Sequence, residues 1–376
     1  MYHKCQNHTG FRLKAELSIS GFPPDAQIPG RTSRKAEQES PGRVTGGMER
    51  NSNQKGVSRM KLEKATQPTM YFIGVTTGAS SIMKVFPEWA QALGLKDTVM
   101  KGIDIAIHEK PEVYREVVSF IKNDPLSMGA LVTTHKLDIY AAAKDMFEYL
   151  DPYAQQFEEM SSISKLDGKL CGHAKDPITC GMAMEEFVPE NYWKEHPEAG
   201  VLIIGAGGSA ISMCSYYMRN AGKGNDPAKI VVSNRSKPRL DAIREISSRM
   251  NPAGIPTEYY LSPNTADNDA VLAKMGRGSL IINATGLGKD RPGSPLSDAA
   301  LFPEDALVWE INYRGDLLFR HQAEAQAKER NLTVNDGWMY FIYGWTQVIA
   351  EVFHQEILGE KLKRMDAIAA KFNNRA

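Results

Sequence analysis

Excess charge of either sign is missing: 45 Lys and Arg stand against 45 Asp and Glu in 376 residues, a formal net charge of zero. Without a net field, neither nucleic acid nor an anionic membrane is an expected partner, and small molecules are. Long apolar runs are missing as well, and none approaches the roughly 18 to 20 residues that cross a bilayer. Cysteine is scarce. Cys5, Cys171, Cys180 and Cys214 stand apart without a C-x-x-C pair, which argues against a bound metal and a disulfide framework, and for a reducing, cytoplasmic setting. What remains is an ordinary globular composition, 42% hydrophobic and 24% charged, long enough for two domains.

The first stretch differs from the rest. RTSRKAEQESPGRVTGGMERNSNQKG is polar and Gly-rich with no apolar period, so residues 1–59 are expected to be disordered. Glu16, Asp25, Glu37, Glu39 and Glu49 are interspersed with the basic residues, and no apolar signal core accompanies them, against a targeting segment. An upstream extension of the reading frame is the favoured alternative, with Met48, Met60 or Met70 as the start.

The most informative stretch is VLIIGAGGSA, Val201 to Ala210. Four aliphatic residues suit a strand buried on both faces, and Gly205, Ala206, Gly207, Gly208, Ser209 and Ala210 fit G-x-G-x-x-A opening a helix. Gly205 allows the tight turn, Gly207 lets backbone approach a pyrophosphate, and Ala210 lets helix and sheet pack closely. About twenty residues on, KIVVS reads as the next strand and runs into Asn234, Arg235, Ser236, Lys237, Pro238 and Arg239. An acid here would bind a ribose 2′-hydroxyl; cations and small polar side chains suit a 2′-phosphate, so the cofactor expected is NADP rather than NAD.

Upstream, YFIGVTT, Lys101 to Ala106 and Met128 to Thr133 read as strands alternating with helices over 80–95 and 110–123, a βαβα order that implies a mostly parallel sheet. Ser80 or Ser81 is placed to cap the first helix. Lys136 follows a strand carboxyl end, where such sheets place ligands. A helical stretch is expected over 137–150, then a hairpin around Asp167-Gly168 that delivers Asp176 before Pro177. A lysine and an aspartate facing each other across a cleft can orient and relay a proton.

These elements together resemble the shikimate/quinate dehydrogenase family over Met70 to Lys361. The matching elements are Gly74 to Ser80, Gly129 to Lys136, Asp167 to Asp176, Gly205 to Ala210, Asn234 to Arg239, Ile282 to Gly288, Glu310 to Tyr313 and Asp336-Gly337. The resemblance implies an α/β fold with an N-terminal α/β substrate domain (69–176, completed by C-terminal helices 336–376), a Rossmann-type NADP-binding domain (177–335), and a cleft between them. It implies that Lys136 and Asp176 flank the hydroxyl being oxidised, and that substrate is held by Ser80, Ser81, Thr133, Ser161, Tyr313 and Gln347. Cofactor would be held by the loop Gly205 to Ala210, by Asn234, Arg235, Ser236 and Arg239, and by Asn283, Thr285 and Gly288. The assembly expected is a monomer or homodimer.

Departures from the family pattern fall on the substrate side. H-S-x-S-P is replaced by Ala79 to Met83, the Asn and Pro of N-V-T-x-P-x-K are lost, Ser161-Ser162 stand for N-T, and the glutamine expected after D-G falls on Gly344, with Gln347 nearly a turn further on. Each unpaired polar group on a substrate costs about 1–3 kcal/mol, so the expected reaction is NADP-dependent hydride exchange with a secondary alcohol of shikimate or of another cyclic or acyclic hydroxy acid. A non-catalytic NADP sensor is the alternative from another class, and a methylene-tetrahydrofolate-type dehydrogenase fits the motifs less well. Two readings concern single features: Lys175 is a candidate cation that opposes a charge on Lys136 or contacts substrate, and the aromatic stripe Trp338, Phe341, Trp345 and Phe353 is read as core or dimer interface rather than ligand box. From 298 to 306 a loop and short helix are expected, then a last strand over 307–311 and a helix over 317–330.

Overall fold

The computed structural model describes residues 62–289 and 291–373; the expectation for residues 1–59 lies outside them. The first sheet is built from β1 (Thr69–Gly74), β2 (Val99–Asp104), β3 (Ser127–Val132), β4 (Tyr149–Leu150), β5 (Ser162–Leu166) and β6 (Lys169–His173), in the order β2-β1-β3-β5-β6-β4. Helices α1 (Ile82–Ala92), α2 (Pro111–Asn123), α3 (Lys136–Ala143) and α4 (Pro152–Phe157) connect these strands. β1, β2 and β3 run parallel, while β5 is antiparallel to β3 and β6. The hairpin between β5 and β6 turns through Asp167 and Gly168, both at positive φ (49° and 75°), the backbone that a tight two-residue turn demands and that Gly supplies without strain. The helix expected over 137–150 ends early: α3 stops at Ala143, and Tyr149 and Leu150 instead pair with Cys171 and Gly172. Edge pairing outweighs helical propensity there.

After α5 (Asp176–Glu185) and α6 (Tyr192–Glu195) comes the second sheet, β7 (Val201–Ile204), β8 (Ile230–Asn234), β9 (Thr257–Leu261), β10 (Leu280–Asn283), β11 (Leu307–Glu310) and β12 (Thr333–Asn335), all parallel, in the order β12-β11-β10-β7-β8-β9. It is interleaved with α7 (Gly208–Asn220), α8 (Lys237–Met250), α9 (Thr265–Leu272) and α10 (Leu318–Arg330). Numbered from β7, this is the 3-2-1-4-5-6 order of a doubly wound dinucleotide fold, with the switch point between β7 and β10. VLII, LIIN and LVWE are buried throughout, as strands covered by helices on both faces must be. No helix forms between 298 and 306, and β11 is not the last strand. The three residues of β12 are too short to carry a period of their own, and only their pairing with β11 makes them a strand.

The chain ends in α11 (Trp338–Val352) and α12 (Glu360–Ala370), which return to the first sheet. Trp345 meets Phe72 of β1 edge-on at 4.9 Å, and the indole of Trp89 in α1 donates to the Met365 carbonyl in α12 at 2.8 Å. No helix among the described residues is long and apolar enough to cross a membrane.

Candidate functional site

A cleft of about 530 Å³ opens between the two sheets, lined from the first by Ser80, Thr133, Lys136, Ser161 and Asp176, and from the second by Ser209 and Tyr313. Lys136 opens α3 and is fixed from behind: the preceding residue, His135, is fully buried with Nε2 3.0 Å from the Ile105 carbonyl and Nδ1 3.4 Å from the Tyr114 hydroxyl. Asp176 opens α5, where the first-turn backbone N–H groups favour a carboxylate and Pro177 costs no hydrogen bond. Their side chains meet in a hydrogen-bonded ion pair, 22% and 19% exposed. Burial pulls the Lys136 ammonium down, but the charges of Asp176 and Glu159 and the hydrogen bond to Asp176 outweigh it, so its pKa lies above the ordinary lysine value.

Lys175 does not oppose that charge. It forms an ion pair with Glu351 of α11, and Glu351 also faces His173 Nε2 at 3.3 Å. This is a correction to both readings of Lys175: its side chain is drawn to the carboxylate beside it rather than into the cleft. Its backbone N–H donates to Ser161 Oγ at 2.7 Å, so the serine that lines the cleft has one acceptor position already in use. Gln347 is buried outside the cleft lining and donates to the Ile357 carbonyl at 3.2 Å, leaving Gly344 on the cleft wall. At about 100° per residue the two positions are about 60° apart around the helix, and the bond to Ile357 holds the Gln347 amide off the cleft. Ser81 is at the N-cap of α1 without a side-chain cap bond and outside the lining, whereas Ser80 lies within it. Thr133 Oγ1 donates to the Ile73 carbonyl at 3.3 Å. Tyr313 packs on Phe341 at 4.4 Å between ring centroids, and Tyr340, Phe341 and Trp345 reach the cleft. The aromatic stripe of α11 is therefore core on one side and cleft wall on the other, a correction to the reading that set it apart from a ligand box.

On the second sheet, Gly205 has φ 126°, and a Cβ there would approach the Ala284 carbonyl oxygen to 2.5 Å. Only glycine fits where the loops after β7 and β10 cross. Gly207 caps α7 with no side chain, and Ala210 is fully buried, so the first-turn N–H groups of a 13-residue helix face outward with no side-chain cap. A Cβ on Gly207 would lie 4.0 Å from an Arg239 guanidinium nitrogen, which places that cation beside the loop. Arg235 is exposed at the end of β8, Asn234 Nδ2 donates to the Ser236 carbonyl at 3.2 Å, and Ser236 is the N-cap of α8.

Asn283 has a different setting from the one expected. Fully buried, it donates to Glu310 Oε2 at 2.7 Å and accepts from the Thr285 hydroxyl at 2.7 Å and backbone N–H at 3.1 Å. Its side chain is spent on holding the loop that carries Thr285 and Gly288, which corrects its assignment as a cofactor contact. Glu310 in turn takes Asn312 at both backbone N–H (2.9 Å) and Nδ2 (2.6 Å), and burial pushes its carboxyl up to about 7. Leu317 N donates to the Gly288 carbonyl at 3.1 Å, so the loops after β10 and β11 are tied together.

Two groups at the site went unread in the sequence. Tyr340 donates to Ser209 Oγ at 3.4 Å, linking α11 to the glycine loop. Glu159 is 7% exposed and adds its charge to the Lys136–Asp176 pair. No sequence signal separates it from exposed Glu158 beside it.

No protein-family model matches the chain. A shikimate dehydrogenase (NADP(+)) from Lactococcus lactis is 25% identical over 181 residues, 48% of this chain and 59% of that protein; the chain thus matches less than two thirds of the length of that relative. A solved shikimate dehydrogenase in complex with NADP+ superposes with TM-score 0.61 at 20% identity, covering 82% of this chain and 97% of the other. A quinate dehydrogenase from Corynebacterium glutamicum in complex with NAD gives TM-score 0.61 at 18% identity, covering 81% and 99%. These structural likenesses are of fold, and the sequence similarity, at 25% identity, is to a shikimate dehydrogenase.

Proposed function

We propose that the protein is an NADP-dependent oxidoreductase that exchanges hydride with a secondary alcohol of a shikimate-like hydroxy acid. The observation that carries this reading is the half-buried Lys136–Asp176 pair facing an uncapped, glycine-started helix across one cleft. The two domains are 69–176 with 336–376, supported by the packing of α11 and α12 on the first sheet, and 177–335. A cytoplasmic monomer or homodimer completes the proposal.

The fit to a dinucleotide rests on the loop. A Cβ would fill the approach at Gly205, the N–H groups of α7 are free of a side-chain cap, and two cations, Arg235 exposed beyond β8 and Arg239 beside the loop, support a 2′-phosphate. NADP, when bound, supplies the hydride acceptor and donor. The chain's own residues bind and orient. Lys136, held as an ammonium by Asp176, donates a hydrogen bond to the substrate oxygen and gives up its proton when a carbonyl is reduced; the reverse reaction returns that proton to the amine. Ser80, on the cleft lining, is the residue we assign to the carboxylate, and Tyr313 and Tyr340, which line the same cleft, would exclude water.

The test is NADPH formation by the full chain with NADP and shikimate, quinate or acyclic polyol acids, each repeated with NAD. Oxidation of a cyclic hydroxy acid with NADP preferred over NAD is the expected result. NADP binding without turnover of any of them would replace the enzyme reading with the sensor.

A further inference from the structure

Glu159 stands behind the ion pair. The chain reaches it through Glu158, the C-cap of α4 in left-handed backbone (φ 52°), and continues into Met160, whose N–H donates to the Lys136 carbonyl at 3.1 Å. That backbone bond fixes residue 159 alongside the start of α3. The side chain then crosses toward the second sheet: a Cβ built on Gly208, the first residue of α7, would lie 3.9 Å from Glu159 Oε2. The residue is 7% exposed, and its carboxylate accepts no hydrogen bond among the described residues. A buried, unpartnered carboxylate therefore rests against the helix turn to which we assign the cofactor's phosphates.

We propose that Glu159 takes up a proton when the dinucleotide settles on the first turn of α7, so that cofactor affinity is linked to pH. The inference rests on the dinucleotide reading of that loop. Two anions at one helix N-terminus repel in a medium of reduced dielectric, and the group that can relieve the conflict is the one that can be neutralised. Solvent provides the proton: an O–H bond forms on the carboxylate, and nothing is oxidised or reduced. The charged and titratable neighbours are Lys136 of α3, Asp176 of α5, Asp151 at the N-cap of α4 and Tyr340 of α11; α7 contributes its N–H groups. Burial, with Asp176 and Asp151, raises the Glu159 carboxyl against the pull of Lys136, to about 7. Without ligand the group is thus near its midpoint at neutral pH, and an approaching phosphate tips it to the acid form.

The experiment is calorimetric titration of NADP, and separately of NAD, which lacks the 2′-phosphate and its own titration, into the full chain in two buffers of different ionisation heat. Wild type is expected to take up close to one proton more than Glu159→Gln at about pH 8, and its Kd to rise about tenfold per pH unit above neutrality, while the Kd of the variant with NAD stays flat. Equal proton counts in the two proteins overturn the proposal. Should the variant not fold, a pH-independent Kd of wild type for NAD overturns it without the variant, and a tenfold rise per unit supports it. Failure of wild type to bind either dinucleotide removes the cofactor reading and this inference together; binding without excess proton uptake removes this inference alone.

Discussion

The two lobes carry their chemistry in different ways. In the second, the site is backbone: a glycine at φ 126° against Ala284, an uncapped helix start, and a sheet whose 3-2-1-4-5-6 order puts both at its switch point. In the first, the site is side chains drawn from β3, α3, the β6–α5 junction and a helix from the far end of the chain. Backbone geometry constrains sequence tightly, because at Gly205 only glycine fits. Side-chain sites tolerate replacement whenever another hydrogen bond serves, and the substrate-side departures at Ala79 to Met83, Ser161 and Gly344 all fall there.

Removing the chemistry from the first lobe alone is the sharpest way to separate them. Lys136→Ala is expected to lower turnover by about 10²- to 10⁴-fold, the scale of a lost general acid–base group, with NADP binding retained because the loop lies on the other wall. Steady-state kinetics and cofactor titration on the same preparation check this; loss of NADP binding would show that the lobes are not separable. The converse perturbation is smaller. If the proposed assignment of Arg235 and Arg239 to a 2′-phosphate holds, Arg235→Ser with Arg239→Ser is expected to weaken NADP by about 10- to 100-fold while leaving NAD unchanged. Equal loss for both dinucleotides would move those arginines off the 2′-phosphate.

The smallest effect lies beneath the first lobe, in the polar cluster of Asp151, His173, Lys175 and Glu351. Burial raises the Asp151 carboxyl to about 6, so its contribution to stability is lost as pH rises from the ordinary aspartate range through 6. Burial also lowers His173 to about 4, so the histidine's contribution is lost as pH falls from its ordinary value toward 4. The two trends oppose each other over nearly the same window. Asp151→Asn keeps an acceptor for Ala154 N, which Asp151 caps at 2.6 Å, and leaves the histidine unopposed. The variant is expected to gain stability above pH 6 and to lose it more steeply on acidification; parallel melting curves for the two proteins would exclude this.

The legibility of each lobe follows the same division. The buried strands and the glycine loop were readable because their residue types are the structural requirement: VLII can be a double-covered strand, and G-x-G-x-x-A can approach a phosphate. The hairpin at Asp167-Gly168 was readable for the same reason. β4 and β12 were not, since strands of two and three residues exist only through their partners. Asn283 and Gln347 were assigned to ligands by their place in a motif, yet their amides are spent on Glu310, Thr285 and Ile357.

By itself, then, the sequence determined the elements whose constraint is local: period, turn and glycine. Only the tertiary structure decided which side chains share a dielectric and a field. Glu158 and Glu159 are the same residue one position apart, and the left-handed turn at the first sends it to solvent and the second to the back of the Lys136–Asp176 pair. Lys136 and Lys175 are both lysines beside carboxylates, and the fold gives one Asp176 in the cleft and the other Glu351 outside it. Charge interactions act across space between residues far apart in the chain, and no local pattern encodes that proximity.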